Sequence, residues 1–298
     1  MRNVMRPTFA SARLAAAAAA ACVCMASQAF AAPPIWHVKG PHAEITLFGS
    51  VHLLSQETDW RTPEFNADLA RADAVWFEIP FDPASQAAAG QAALQRGLLP
   101  ACQTLSALLS PLEQQQLAHL ETAEGLAPAS LERMQPWLAD TTLSIVYFEK
   151  RGANASLGVE EQISNSLPPT LPRGAFETAQ QQIGFFADLS LKDQLDSLDE
   201  TLREIEKDPQ AFERLSAAWA RGDVRAIDKE AVEQLKHDAP GSYRTLVVDR
   251  NRRWVDQIAQ LLQGDKRIFI VVGVGHLVGP DSVPAMLRAR GVKVEGPS

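Results

Sequence analysis

Two histidines stand in matching settings near opposite ends of the chain. His52 falls in EITLFGSVHLL (44–54) and His276 in RIFIVVGVGHLVG (267–279), each three residues after a glycine, Gly49 or Gly273, at the end of an apolar run. Neutral imidazole is both a base near neutral pH and a ligand for divalent metals. Either histidine alone reads as a satisfied structural residue; two in one setting read as halves of a site joined in space. Glu78, directly after AVWF, is the third candidate. A carboxylate at the end of a buried strand is costly unless it meets a cation, a metal or a proton. Two imidazoles and a carboxylate match a zinc-like or manganese-like donor set with positions left for water. Arg250, in DRNRRW, is either the partner of Glu78 or an anchor for a substrate carboxylate or oxyanion. Arg252 and Arg253 read as solvated helix charges, and His37, His42, His119 and His237 as surface residues in polar or turn contexts. The sequence has no H-E-x-x-H, no G-x-S-x-G elbow, no phosphate loop and no dinucleotide fingerprint.

The elements around these residues are those of an α/β protein. IWHVKGPHAEITLF predicts a hairpin, with strands over 35–39 and 44–48 and a turn at Gly40-Pro41. TPEFNADLARAD predicts a helix with Thr62 as N-cap and Pro63 at its first position. AVWFEIP returns as a buried strand, so His52 and Glu78 belong to the same edge of a parallel pair. Open α/β sheets place ligands at such strand ends, and a glycine there permits a tight turn or a close backbone approach. Residues 84–263 read as mostly helical, with SYRTLVVDRNRRWVDQIAQLLQG as one long helix and NSLPPTLPRG (165–174) as a loop. KRIFIVVGVGH is a buried strand, DSVPAMLRARG a capped helix and VKVE a last strand. The sum is a central mixed sheet carrying the two Gly-x-x-His ends, flanked by helices and interrupted by a large helical insert.

Composition narrows the function classes. Residues 1–31 pair an arginine-bearing start (Arg2, Arg6, Arg13) with an alanine-rich run too short to span a bilayer, and Ala29-Phe30-Ala31 fits a small-x-small cleavage rule. The expectation is a secretory signal cut after Ala31; cleavage before Cys22, as in a lipoprotein, is the competitor. Residues 32–298 then form one domain, exported to the periplasm or secreted, with no membrane span. The formal net charge of −8 becomes more negative once those arginines leave, which disfavours nucleic acid and anionic membranes as partners. Cys22 and Cys24 leave with the signal, so Cys102 has no internal partner; it reads as a small buried hydrophobe.

LFGSVHLL, ADAVWFEI, MQPWLAD, LGVEEQI, FETAQQQI, AAWARGD, LVVDRNRRWVDQI and VVGVGHLVGPDSVPAMLRARGVKV follow one another in an order that resembles the TraB/GumN family, across residues 35–298. That family includes the pheromone-inhibition proteins of the PrgY type and looks related to the Tiki proteases. The resemblance implies a fold like that of the erythromycin esterases and a haem-binding lipoprotein group (EreA/ChaN-like), with a site between the two Gly-x-x-His strands. It implies a site of His52, Glu78, Arg250 and His276, with Asn251 beside Arg250. It also implies a divalent metal, Mn²⁺, Co²⁺ or Zn²⁺, on His52, Glu78 and His276. Glu160, in LGVEEQI, and Glu177, in FETAQQQI, fall on acidic positions of the family pattern; from the residues alone they read equally as cap or solvated acids. Gln135 stands where many relatives carry a basic residue before Pro-Trp, which removes any substrate-charge contact made there.

Three functions follow. The first is an exported metal-dependent hydrolase, a metallopeptidase-like enzyme taking a peptide or small-molecule substrate. The second is a metal-independent hydrolase of the esterase type, with a histidine as base. The third is a non-catalytic periplasmic protein that binds haem, metal or peptide.

Overall fold

The computed structural model describes residues 32–55 and 58–297; the expected signal segment lies outside them. Six strands form one mixed sheet: β1 (Ile35–Lys39), β2 (Glu44–Ser50), β3 (Ala74–Phe77), β4 (Arg173–Ala175), β5 (Arg267–Gly273) and β6 (Lys293–Glu295), in the order β4-β3-β5-β2-β1-β6. β2, β5, β3 and β4 run parallel, and β1 is antiparallel to both of its neighbours. β5, the last long strand, sits between β3 and β2, so the two strands expected to form a parallel pair are parallel but not neighbours, each pairing instead with β5. The ends of three adjacent parallel strands therefore carry Glu78, His276 and His52 to one edge.

Helices follow in chain order. They are α1 (Pro63–Ala70), α2 (Pro83–Arg96), α3 (Pro111–Glu124), α4 (Pro136–Lys150), α5 (Val159–Ser166), α6 (Ala179–Ala187), α7 (Leu191–Lys207) and α8 (Ala211–Ala220). Then come α9 (Val224–Ile227), α10 (Gln234–Asp238), α11 (Pro240–Tyr243), α12 (Asp249–Leu261) and α13 (Val283–Ala289). Thr62 caps α1 as its residue type predicts, with its hydroxyl accepting from Phe65 N at 3.1 Å and Pro63 next in line. The single long helix expected before β5 is instead α11 and α12 joined through a π-helical stretch, Arg244–Val248. A second π stretch, Asp228–Glu233, joins α9 to α10.

Two hydrophobic cores are separate. One covers both faces of the sheet, where Phe48, Phe65 and Phe269 meet with ring centroids 4.7–6.2 Å apart. The other joins α3, α4 and α7 in the insert, through residues such as Leu120, Leu143, Leu198 and Leu202. The heptad-like spacing of Gln194, Leu198, Leu202 and Ile205 is the buried face of α7.

Two further sequence expectations change. The 165–174 loop ends in a strand, since Arg173 opens β4; three residues with a glycine carry no strand pattern. Gly174 is required because the Trp76 indole lies against it, and an added Cβ would sit 2.3 Å from that ring. Cys102 is exposed rather than buried, on the turn before the insert's Ser106–Leu108 helical turn. No helix among the described residues is long and apolar enough to cross a membrane.

The insert also holds misplaced charge. Asp140 on α4 accepts from Thr201 Oγ1 at 2.7 Å and is pushed up to about 7 by burial, with Glu204 adding to it. Glu200 on α7 is pushed up to about 8 by burial and by Glu204. Carboxyls raised in the fold bind protons more tightly there than in the unfolded chain. Their contribution is therefore complete below the ordinary carboxylate range and lost as pH rises through about 7–8. The double variant Asp140→Asn/Glu200→Gln should melt about 2–4 °C above the parent at pH 8.5 and level with it at pH 4. Melting curves across that range check this; an equal gap at both ends would refute it.

Candidate functional site

The site is built on a buried guanidinium. Arg250, in the first turn of α12, is only 6 % exposed in its side chain, and each of its N–H groups has a partner. Nε donates to Glu177 at 3.0 Å (Oε1) and 3.1 Å (Oε2), and Nη2 donates to Glu177 Oε2 at 2.8 Å and to Glu78 Oε2 at 2.6 Å. Nη1 donates to Leu246 O at 3.3 Å and to His276 Nε2 at 3.1 Å. One face of the guanidinium rests on Trp254, 4.7 Å from its centroid. Glu177 is brought in by β4, two residues upstream, and also accepts from Trp254 Nε1 at 2.9 Å.

Glu78 Oε1 accepts from the backbone N–H of Gly273 at 2.7 Å, and Oε2 also accepts from Gln182 Nε2 at 3.0 Å. Burial works to raise the Glu78 carboxyl, but the Arg250 charge and the Gly273 N–H outweigh it and hold it ionised, below the ordinary carboxylate range.

His276 stands in the 3₁₀ turn Val274–His276 that follows β5, its ring 4.4 Å from Trp254. Nδ1 lies 2.7 Å from Asn251 Oδ1, while the Asn251 amide nitrogen donates to Asp281 O at 2.8 Å. That donation fixes the amide, so Nδ1 carries the proton and Nε2 presents a lone pair, 4.0 Å from Glu78 Oε1. Burial and the Arg250 charge push His276 down to about 3, so it stays neutral.

His52 is the solvent-facing counterpart, with 68 % of its side chain exposed. Nδ1 donates to Glu160 Oε1 at 2.9 Å, and the Ser50 hydroxyl donates to the same oxygen. Glu160 comes from the first turn of α5, which docks on the His52 segment through Val159 N to Val51 O at 3.1 Å. The Glu160 charge and its hydrogen bond raise His52 to about 9 against burial and the Arg250 charge. Burial opposes the charge on Glu160, but His52 and Ser50 hold it below the ordinary value.

The two glycines serve space rather than backbone freedom. An added Cβ at Gly49 would lie 2.8 Å from Val274 Cγ2, so the first motif is hollowed to receive the second. At Gly273, whose φ is −51°, a Cβ would lie 3.1 Å from Glu78 Oε1, 3.7 Å from His276 Cδ2 and 4.0 Å from His52 Nε2. All three expected residues thus face the space over Gly273. They do not close into a tight shell: among the described residues, their ligand atoms do not lie within 4.8 Å of one another. A cleft of about 380 Å³ opens here, floored by His52, Glu78, Glu160 and Gln182 and walled by Phe77, Ile79, Phe81 and Ile145.

Glu160 and Glu177, which the sequence left level with solvated acids, are 5 % and 6 % exposed and hold His52 and Arg250. Ser50 and Gln182 carried no signal beyond their positions, two residues before His52 and one turn into a capped helix. Arg250 is committed to side chains of the protein, so its role is to position Glu78, Glu177 and His276. Removing it leaves two buried carboxylates facing each other. Arg250→Met should destabilise the fold by roughly 3–5 kcal/mol in denaturant titration at pH 7, whereas a loss under 1 kcal/mol would contradict this account.

The pattern of the TraB/PrgY/gumN family matches residues 34–296. Over 261 residues the chain is 24 % identical to "Uncharacterized protein YbaP" of Escherichia coli (strain K12), covering 85 % of this chain and 94 % of that protein. The same values hold for the YbaP of Shigella flexneri. No solved structure matches the chain. A family pattern that spans both Gly-x-x-His ends, Glu78 and Arg250-Asn251 settles the kinship: the chain belongs to the TraB/PrgY/gumN family.

Proposed function

We propose that this protein is an exported, metal-dependent hydrolase of peptide or related amide bonds, working in the cleft over Gly273. The observation that carries the reading is the matched pair of histidines. Each has Nδ1 held by an oxygen acceptor, Glu160 at 2.9 Å or Asn251 at 2.7 Å, which turns Nε2 toward the side of Glu78; the His276 Nε2 lone pair now accepts from Arg250 Nη1 at 3.1 Å, a bond a cation would have to replace. Metal-binding histidines are oriented by such second partners. Charge supports it too: Glu78 and Glu177 are buried against one guanidinium and Glu160 is buried beside His52, and three carboxylates around a single arginine draw a cation. His52, Glu78 and His276 are the residues that would hold a divalent cation, with exposed His52 the one free to adjust. When bound, such a cation supplies Lewis-acid chemistry, polarising a carbonyl and acidifying water.

The protein's own groups do the rest. His52 and Glu160 form a proton-holding pair at the open side of the cleft. Arg250 keeps Glu78 ionised and His276 neutral. Phe77, Ile79, Phe81 and Ile145 offer an apolar wall against which a substrate side chain excludes water. The negative floor, with its guanidinium already paired, favours neutral or cationic substrates over phosphate esters.

A second reading rests on the same His52–Glu160 contact: His52 as a metal-free general base. A base raised to about 9 is protonated at neutral pH, so this activity would climb about tenfold per pH unit up to that point. The test is cleavage of a quenched peptide library by the purified protein. Dialysis against a chelator should abolish turnover, and Mn²⁺, Co²⁺ or Zn²⁺ should restore it; full activity in chelator, steepening toward pH 9, would sink the metal reading in favour of the second. His52→Ala should lower kcat/KM by at least about 100-fold, and His52→Gln, which keeps a donor for the buried Glu160 carboxylate, should do the same with little change in Tm. Gly273→Ala should stay folded, since its φ suits alanine, yet lose activity as its methyl enters the site. Wild-type turnover in Gly273→Ala would place the chemistry elsewhere.

A further inference from the structure

A second set of metal-ligand types lies away from the cleft, and we propose that His37, Glu64 and Asp68 bind one Zn²⁺ ion that ties β1 to α1. Among the described residues these three are the one group of His, Cys, Asp and Glu side chains whose ligand atoms all lie within 4.8 Å of one another. Glu64 and Asp68 are one turn apart on α1 and share a face. His37 projects from β1, where it pairs with Thr46 near the start of β2, away from the His52 edge.

The contacts suit replacement of a proton by a cation. His37 Nε2 lies 2.7 Å from Asp68 Oδ2, a gap now bridged by one hydrogen. Asp68 is 5 % exposed in its side chain, and Arg71 takes its other oxygen, Oδ1, so Oδ2 is directed at the imidazole. Zinc bonds nitrogen and carboxylate oxygen at about 2.0–2.2 Å, so an ion between these two atoms needs only a small separation. Glu64 is exposed and supplies the third ligand from the solvent side, where water completes a tetrahedron. An imidazole with two carboxylates selects a borderline cation over Mg²⁺ or Ca²⁺, which favour all-oxygen shells. Arg71 opposes the ion with its charge, which sets the direction of one variant below. This site shares no residue with the cleft.

The experiment is calorimetric titration of ZnCl₂ into the full protein carrying His52→Ala and His276→Ala, which silences the cleft histidines. One equivalent should still bind. Adding His37→Ala should weaken that binding at least about 30-fold, Glu64→Gln about tenfold, and Arg71→Gln should strengthen it. Zinc should raise the melting temperature of the double variant and leave the His37→Ala triple variant unmoved. Glu64 is exposed, so its variant keeps the fold and tests the site if His37→Ala does not. No zinc uptake by the double variant overturns the proposal, as does zinc binding that is unchanged by Glu64→Gln and by a folded His37→Ala.

Discussion

A single buried guanidinium governs the middle of this molecule. Arg250 sits among two carboxylates, a neutral imidazole and a backbone carbonyl, and each of those partners comes from a different stretch of chain. Arginine suits the place because its planar fork offers five donors in fixed directions, and because it keeps its charge when buried. The fold around it follows from satisfying that fork. β4 exists to deliver Glu177, the turn after β5 delivers His276, and the π-helical stretch before α12 leaves Leu246 O within reach of Nη1. Ion pairs so deep seldom add net stability over an apolar core. What this one does is impose a single arrangement on four segments far apart in sequence.

The same hub sorts the ionisation states of the site. Its positive charge keeps Glu78 charged and, together with burial, His276 uncharged, while on His52 the Glu160 charge outweighs it and draws the ring the other way. Two histidines in matching sequence settings therefore have opposite characters, one dry and neutral, the other wet and basic. The difference lies in burial and in the neighbouring charge: His276 is buried beside a guanidinium, whereas His52 meets a carboxylate. The cleft inherits this asymmetry: Phe77 and Glu78 at the end of β3 form one side, and exposed His52 after β2 stands with Glu160 on the other, with Ile145 of the helical insert also lining it.

Much of this was legible in the sequence, and the parts that were not share a cause. β1, β2, β3 and β5 announce themselves as runs of apolar residues because they are buried on one or both faces. His52, Glu78 and His276 stand out because polar residues at the ends of such runs need a reason. Arg250 was ambiguous between partner and anchor, and only packing decides it. Glu160 and Glu177 follow no apolar run; each precedes or opens a helix, where an acid is unremarkable, so their burial could not be read locally. β4 hid for the same reason: a strand of three residues owes its existence to the neighbour it pairs with and to the Trp76 ring over Gly174, not to its own pattern. The π-helical stretches likewise answer to tertiary demands that periodicity does not encode.

The interleaved strand order has a temporal meaning. β5 enters between β2 and β3, and Val274 drops into the hollow left by Gly49, so the segment that separates those two strands is among the last to be synthesised. Everything before it can collapse, but the gap between His52 and Glu78 has no floor until Gly273 arrives. Long-range pairing of this kind is a slow step in folding. A chain that has not yet placed β5 therefore holds its acids and its first imidazole without their final arrangement, which forms in one step when β5 pairs with both β2 and β3.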